Sequence, residues 1–411
     1  MSEAFDAIIV GGGMAGAVLG RALTRQGLAT AVVERGPPPG SEPAGGNGPE
    51  RVSALNVRSR AILTDLGLWP EVAAAEPAAI RHIEVTDGHR GGRATLDGAE
   101  AGVDALGHVV PNRVLVDAAW RGLTASDGAA VYTRASVTAT ERSGEGVTVR
   151  LTDPDGERVL HGRLLVGADS EHSRVRQAAG IGTWGWSHNR YALVATVVSE
   201  RPLAGWAFER FLPEGPLAFL PMGGHSASIV WTLDPSAAVE LERLAPRRFL
   251  ARLRERFGPA LGQLTDVGPR AVYPLELRVA ERFAGARTAL VGNAAHLVHP
   301  VAGQGFNLGL RDVAALAEEV GQAAARGWDP GHQAVLTRYH RRRQPDTHRV
   351  VAYTEGLNRV FANDLPPLVA VRQAGLRVLD RAGPLKRAFM DQALGRSEGA
   401  PLPGPLRRMA G

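Results

Sequence analysis

The chain has 411 residues, 44% of them apolar and 22% charged, values that suit a soluble globular protein of two to four domains or lobes and exclude a disordered one. Lys plus Arg number 47 against 42 Asp plus Glu, a formal net charge of only +5, and a balance this near neutral argues against a nucleic-acid partner. The absence of cysteine excludes disulfides, iron–sulfur clusters, zinc–thiolate sites and cysteine nucleophiles.

Ala7–Val10 reads as a buried parallel strand, followed by Gly11–Gly16, a helix to about Gln26 and a second strand over Leu28–Glu34. This is a strand–turn–helix–strand unit. Residues 36–49, rich in Pro, Gly and Ser, read as a loop. Arg51–Leu68 has helical periodicity, with Leu55, Ile62, Leu63 and Leu66 on one face. Short strands are expected at His82–Val85, Val147–Leu151, Leu217–Leu220 and Ser226–Trp231, and a longer one over Tyr191–Val198. Leu164–Asp169 is a buried strand ending in an acid. Ala237–Phe257 reads as a helix, Thr288–Gly292 as a buried strand and Gly305–Ala325 as a helix. Gln333–Asp380 is mostly helical, broken at Pro345 and Pro366–Pro367. The N-terminus carries no basic leader. The run Ala7–Gly20 is too short and glycine-rich for a bilayer helix, which needs about 20 apolar residues. Cytoplasmic residence is the expectation, with peripheral contact on the inner face of the membrane left open.

The simplest partition interleaves two lobes. A nucleotide-binding lobe collects 1–75, 105–170 and 280–330, and a sheet-rich lobe collects 76–104 and 171–279. A helical region, 331–411, closes one side.

Gly11, Gly13 and Gly16 fit G-x-G-x-x-G, with Met14 and Ala15 between the last two. The first glycine permits the tight turn, the second lets backbone approach a pyrophosphate, and the third permits close helix packing. Glu34 ends the second strand, where its carboxylate can accept ribose hydroxyls and disfavours a 2′-phosphate. The fingerprint itself does not separate FAD from NAD. His296 and His299 lack the companion ligands of a metal site, so no metal is expected. Arg341–Arg343 reads as a solvated or interlobe face. Trp184, Trp186 and Trp206 read as core packing.

Gly292–Asp312 (GNAAHLVHPVAGQGFNLGLRD) resembles the second FAD-binding motif of aromatic-ring hydroxylases, the group A flavoprotein monooxygenases. Gly167–Arg176 (GADSEHSRVR) resembles the family's middle Asp–Gly motif, with Ser170 where the family usually has glycine. Arg51–Leu55, Phe208–Phe211, Gly215–Ala218, Tyr273–Leu275 and Tyr339–Arg343 look like the ubiquinone-biosynthesis, or UbiH-type, branch. The resemblance covers nearly the whole chain.

It implies an α/β plus α+β fold, in which a glutathione-reductase-like FAD-binding lobe is interleaved with a mixed-sheet substrate lobe and C-terminal helices. It implies resident FAD, transient NADH or NADPH, molecular oxygen, and a polyprenylated phenol or benzoquinol that gains one hydroxyl. The implied cofactor contacts are Gly11, Gly13, Met14, Ala15, Gly16, Glu34, Arg35, Arg51, Arg113, Asp169, Asn293, Gly303, Gly305, Phe306 and Asn307. Pro300, Gly303 and Gln304 would form the flavin and substrate environment, with no side-chain base assigned. Asp312 anchors local structure. Arg176 pairs with an acid or meets the nicotinamide donor. Val194, Phe219, Leu220 and Trp231 are candidate tail-lining residues, with core packing the plainer reading of each. Leu357–Phe361 and Leu365–Val371 are candidates for a membrane-facing or partner-facing helix. Contact with a ubiquinone-biosynthesis complex and homodimerisation stay open. The rivals are a hydroxylase of another aromatic or polyketide substrate, and an FAD-dependent quinone or prenyl oxidoreductase without oxygen insertion.

Overall fold

The computed structural model describes residues 3–41, 48–88, 92–300, 303–361, 369, 372–376, 380 and 383–396. At the centre of the first sheet lies β1 (Glu3–Val10), whose Ala7–Val10 segment is apolar and buried on both faces, as a central parallel strand requires. It pairs in parallel with β2 (Thr30–Val33) and β11 (Gly156–Gly167). Beyond β2 comes β8 (Ala129–Tyr132), and beyond β11 come β18 (Thr288–Leu290) and β17 (Ala284–Gly285). An antiparallel excursion, β9 (Ser136–Arg142) and β10 (Val147–Asp153), returns along β11. Val10 stands opposite both Val33 and Gly167. The carboxyl ends of three strands therefore stop together, the edge at which open α/β sheets bind ligands. The helices α1 (Met14–Thr24), α4 (Asn112–Thr124) and α8 (Gln304–Ala325) begin at that edge, and α1 packs against the other two.

The second sheet runs β19 (His296–Leu297), β16 (Leu264–Ala280), β12 (Thr183–Ser199), β15 (Ser226–Leu233), β14 (Gly215–Pro221), β13 (Trp206–Leu212), β5 (His82–Thr86), β6 (Arg93–Asp97). One face packs on α6 (Pro235–Arg243) and α7 (Pro246–Phe257) through the buried rings of Phe219, Phe249 and Phe257. A ribbon of β3 (Val52–Asn56), β7 (Gly107–Pro111) and β4 (Ala78–Ile80) lies between the two sheets in the chain. The remaining helices are α2 (Val57–Asp65), α3 (Trp69–Ala74), α5 (Arg174–Ala178), α9 (Gln333–Phe361) and a last one over Gly383–Leu394.

Four expectations are corrected. Arg51–Leu68 is not one helix: Val52–Asn56 pairs antiparallel with β7, and the helix starts only at Val57, where the Asn56 side chain accepts from Ser59 N–H at 2.9 Å. That is an ordinary N-cap. The stretch 237–257 is split at Pro246, which opens α7. Pro345 does not break its helix. An internal proline costs about 3 kcal/mol, and this turn is tied to α8 by buried ion pairs, Arg343 to Asp312 at 2.8 Å and Arg311 to Asp346 at 3.1 Å. Trp184 and Trp186 are not core residues: they are 37% and 42% exposed. Pro366–Pro367 and most of Leu365–Val371 lie outside the described residues.

Candidate active site

Two helix starts face one cavity. α1 begins after Gly13 and α8 after Gly303, and neither N-terminus carries a side-chain cap. Their first-turn N–H groups and positive dipole ends are therefore left for an anionic ligand. The cavity has a volume of about 1070 Å³ and is walled by Gly13–Ala15, 51–56, 292–293, 297–300, 303–307 and one face of the second sheet. A cleft of about 290 Å³ shares Gly13 and adds Gly12, Glu34, Arg113 and Trp120.

The glycines divide into two kinds. Gly11 has φ +103°, and a Cβ on it would stand 2.3 Å from the carbonyl oxygen of Ala168; one on Gly16 would stand 1.8 Å from that of Gly11. These two let backbone pass backbone. A Cβ on Gly13 would meet no protein atom within 4 Å. The space above the α1 N-terminus is open, and it joins the large cavity to the cleft. Glu34 stands in the cleft with its two carboxylate oxygens accepting from Gly12 N–H at 2.6 Å and Gly36 N–H at 2.7 Å. Trp120 Nε1 donates to Gly12 O at 2.7 Å and closes the turn. Uncapped amides, an open glycine and an acid beyond it fit a diphosphate-bridged dinucleotide such as FAD.

The other expected residues are placed as follows. Met14, Ala15, Arg51, Asn293, Pro300, Gly303, Gln304, Gly305, Phe306 and Asn307 all line the large cavity. The Arg51 guanidinium lies 5.5 Å from the centroid of the Tyr273 ring. Arg113 reaches the cleft and pairs with Glu50 at 2.8 Å. Arg35 is exposed and lines neither space. Asp169 also lines neither: it accepts from Ser173 Oγ at 2.5 Å and from Arg174 and Val175 N–H, fixing the start of α5. Ser170 beside it takes φ +73°, a left-handed conformation that glycine adopts at no steric cost. Asn307 is committed to protein: its amide donates to Ala54 O and Gly303 O and accepts from Asn56 N–H and Ser59 Oγ. It clamps β3 against the start of α8. Arg176 does not pair with an acid; it donates to the carbonyls of Ala294 and Glu171, both at 2.9 Å. Of the candidate tail-lining residues, Leu220 lines the cavity, while Phe219 and Trp231 belong to the core on the α7 side.

Asp312 is the anchor its position implies. It accepts from Gly292 N–H at 3.0 Å and stands 2.5 Å from His296 Nε2 and 2.8 Å from Arg343 Nε. Burial pushes its carboxyl up, but His296 and Arg343 outweigh that and hold it below the usual range. His299 lines the cavity with its ring 5.2 Å from that of His188. Burial, reinforced by His188, pushes it down to about 3, so the imidazole is neutral at ordinary pH.

Two cavity residues have no assigned role in the motifs. Glu209 of β13 and Tyr353 of α9 both face it. The signal for Glu209 was its strand parity: it shares a face with Ala207 and Phe211, both buried apolar residues, where a carboxylate is out of pattern.

Residues 4–354 match the FAD binding domain family. Ubiquinone hydroxylase UbiL of Rhodospirillum rubrum is 41% identical over 404 residues, spanning 98% of this chain and 92% of that one. The 3-demethoxyubiquinol 3-hydroxylase of Escherichia coli is 34% identical over 391 residues, spanning 94% and 97%. The crystal structure of p-nitrophenol 4-monooxygenase PnpA from Pseudomonas putida superimposes with a TM-score of 0.80 over 97% of this chain and 100% of that one. At 19% identity, it establishes the shared fold. The nucleotide-binding turn, the open cradle and the match over most of the chain define an FAD-dependent aromatic monooxygenase. Within that class, the chain belongs to the ubiquinone-biosynthesis hydroxylase family.

Proposed function

We propose that the protein hydroxylates a polyprenylated phenol or benzoquinol intermediate of ubiquinone biosynthesis, using resident FAD, molecular oxygen and electrons from a transiently bound NADH or NADPH. The observation that carries this reading is the cavity itself. Two uncapped helix N-termini meet it, and Ile83, Val85, Leu96, Leu220, Leu357 and Phe361 give it a largely apolar wall. That combination suits an anionic cofactor beside an aromatic head with a hydrocarbon tail. The named activities of the two relatives agree with it.

Bound FAD supplies the activation of oxygen and the transfer of one oxygen atom to the ring. The α1 N-terminus at Gly13 would hold the diphosphate, and Glu34 the ribose hydroxyls. Arg51 and Asn293 would contact the cofactor from the opposite wall. Amides at the start of α8, Gln304 to Phe306, would favour negative charge on the reduced ring. His299 stays neutral and adds no competing cation. Pro300 and the apolar sheet face orient the guest and exclude water.

A substrate with a long hydrocarbon tail partitions into a bilayer, so the reading includes peripheral contact with the membrane. Trp184, Trp186 and Val360, which is 51% exposed, are the apolar side chains offered for it, with Arg359 over the Trp186 ring at 6.0 Å. Among the described residues no helix is long and apolar enough to cross a membrane. Association with other ubiquinone-biosynthesis proteins and homodimerisation belong to the same reading. The deciding experiment incubates flavin-loaded protein with reduced nicotinamide, a panel of prenylphenols and labelled oxygen. One labelled atom in the ring supports the reading. Oxidation without label identifies an oxidoreductase instead, and label only in tail-less substrates identifies another aromatic hydroxylase.

A further inference from the structure

Glu209 is the one carboxylate among the described residues that line the large cavity. Register sets it in an apolar row: β13 places it opposite Ala218 of β14 and Val85 of β5, and the row continues to Val230 of β15 and Ala94 of β6. Its strand neighbours Phe208 and Arg210 point the other way, toward Phe257 of α7. Glu84 of β5, in register with Phe208, also turns from the cavity and pairs with Arg93. From α9, Tyr353 faces Glu209 closely enough for the carboxylate to raise its hydroxyl pKa, after burial, the larger cause. Arg359, His299 and Arg372, the last paired with Asp87 at 2.8 Å, line the same cavity. No described residue offers the Glu209 carboxylate a hydrogen bond or an ion pair.

A cavity-facing carboxylate without a protein partner, on an otherwise apolar wall, lacks only a ligand's donor. An aromatic guest in this cavity brings one such donor, its hydroxyl. We propose that Glu209 is a catalytic residue, the acceptor of the substrate's phenolic hydrogen bond and of its proton during oxygen transfer. This rests on the hydroxylase reading and adds to it the base that the motifs do not supply.

The step balances. The phenolic O–H bond breaks, its proton goes to Glu209, and its electron pair flows into the ring. The ring carbon next to the hydroxyl forms a bond to one oxygen atom as the O–O bond breaks, and the other atom takes up protons, ultimately from solvent and the reductant, and leaves as water. The ring C–H bond then breaks, its electrons restore aromaticity, its proton goes to solvent, and Glu209 returns its proton to the carbonyl oxygen. Dioxygen is the oxidant and the reduced nicotinamide supplies the two electrons. Burial pushes Glu209 up to about 7, which suits a group that both takes and returns a proton near neutrality.

The test uses the flavin-loaded protein, a farnesylated phenol and its O-methyl ether, with binding followed by the flavin's visible absorption. The wild type is expected to bind the phenol about tenfold more tightly than the ether, the range of a charge-assisted hydrogen bond, and Glu209→Leu is expected to erase that preference. In Glu209→Gln, oxygen insertion is expected to fall about 100-fold and to lack the rise with pH through about 7 expected of the wild type. Flavin content and a cooperative melt report folding, and the near-isosteric Gln variant serves if the Leu variant fails to fold. A retained phenol preference in folded Glu209→Leu, or an unchanged pH limb in Glu209→Gln, overturns the proposal. A wild type that inserts no labelled oxygen into any prenylphenol overturns the hydroxylase reading, and this inference falls with it.

Discussion

His296 Nε2 lies 2.5 Å from Oδ2 of Asp312, and neither side chain has any exposed surface. The same oxygen accepts from Gly292 N–H, and the other carboxylate oxygen faces Arg343. One buried acid thus ties the turn that presents Asn293 to both α8 and α9. Asp312→Asn would leave Arg343 facing a neutral amide. Breaking a buried pair in this way costs about 3–5 kcal/mol. The variant is expected to melt well below the wild type and to lose FAD together with stability. The sign with pH follows from the depressed carboxyl: its contribution is present above its unfolded value near 3.8 and is lost as pH falls through the lower folded value. The stability gap between wild type and variant should therefore narrow as pH falls through the acid range, and parallel melting curves and flavin content over an acid series check this.

Gly13 and Gly16 are three residues apart and should respond oppositely. A side chain on Gly13 enters open space, whereas one on Gly16 meets the Gly11 carbonyl. Gly13→Val is expected to fold with the apoprotein's stability nearly unchanged, within about 0.5 kcal/mol, yet to retain little FAD. Gly16→Ala is expected to destabilise the fold itself by about 1–3 kcal/mol through forced backbone movement. Chemical denaturation of apoprotein beside flavin titration separates the two. Full FAD occupancy in Gly13→Val would remove the diphosphate from this turn.

Much of the site was legible because its signals are local. The first 34 residues declare strand, turn and helix through short-range spacing, and Gly292–Asp312 carries its resemblance in one unbroken stretch. The failures involve partners distant in the chain. Val52–Asn56 is a strand because β7, more than 50 residues on, pairs with it; its own periodicity suits a helix equally well. Pro345 stays helical because Arg343 and Asp346 are held by α8, and no local rule contains that. Glu209 appeared in the sequence only as part of a resemblance: parity sets it on one strand face with Ala207 and Phe211, but that this face lines a cavity depends on elements distant in the chain.

Glu209 also leaves a mark on stability. Its folded carboxyl titrates near 7, above its ordinary value of 4.5, because burial penalises the charge. The protonated acid is therefore the form the fold prefers. Its contribution is fully present below about 4.5 and is lost as pH rises through about 7. The loss is on the order of 3 kcal/mol at most. Glu209→Gln keeps the shape and removes the titration, so the wild type should lose denaturation midpoint between pH 5 and 8 relative to the variant. Midpoints that run parallel across that range would show that the carboxyl is solvated in the folded protein.

The apolar wall of the cavity is testable by tail length. Leu357 and Phe361 share the inner face of α9, and Phe361 stacks on Phe211 of β13 at 3.8 Å between ring centroids. Each tail methylene buried there contributes about 0.8 kcal/mol, so a long-tailed substrate gains far more from this wall than a short one. Leu357→Asp sets a carboxylate on the wall. The change is expected to raise KM for a long prenylphenol more than tenfold, while leaving KM for a phenol with one prenyl unit within about twofold. The contrast between the two substrates matters more than either value, because a general loss of folding or of FAD would weaken both alike. Equal effects on the two would place the tail elsewhere and leave only the aromatic head in this cavity.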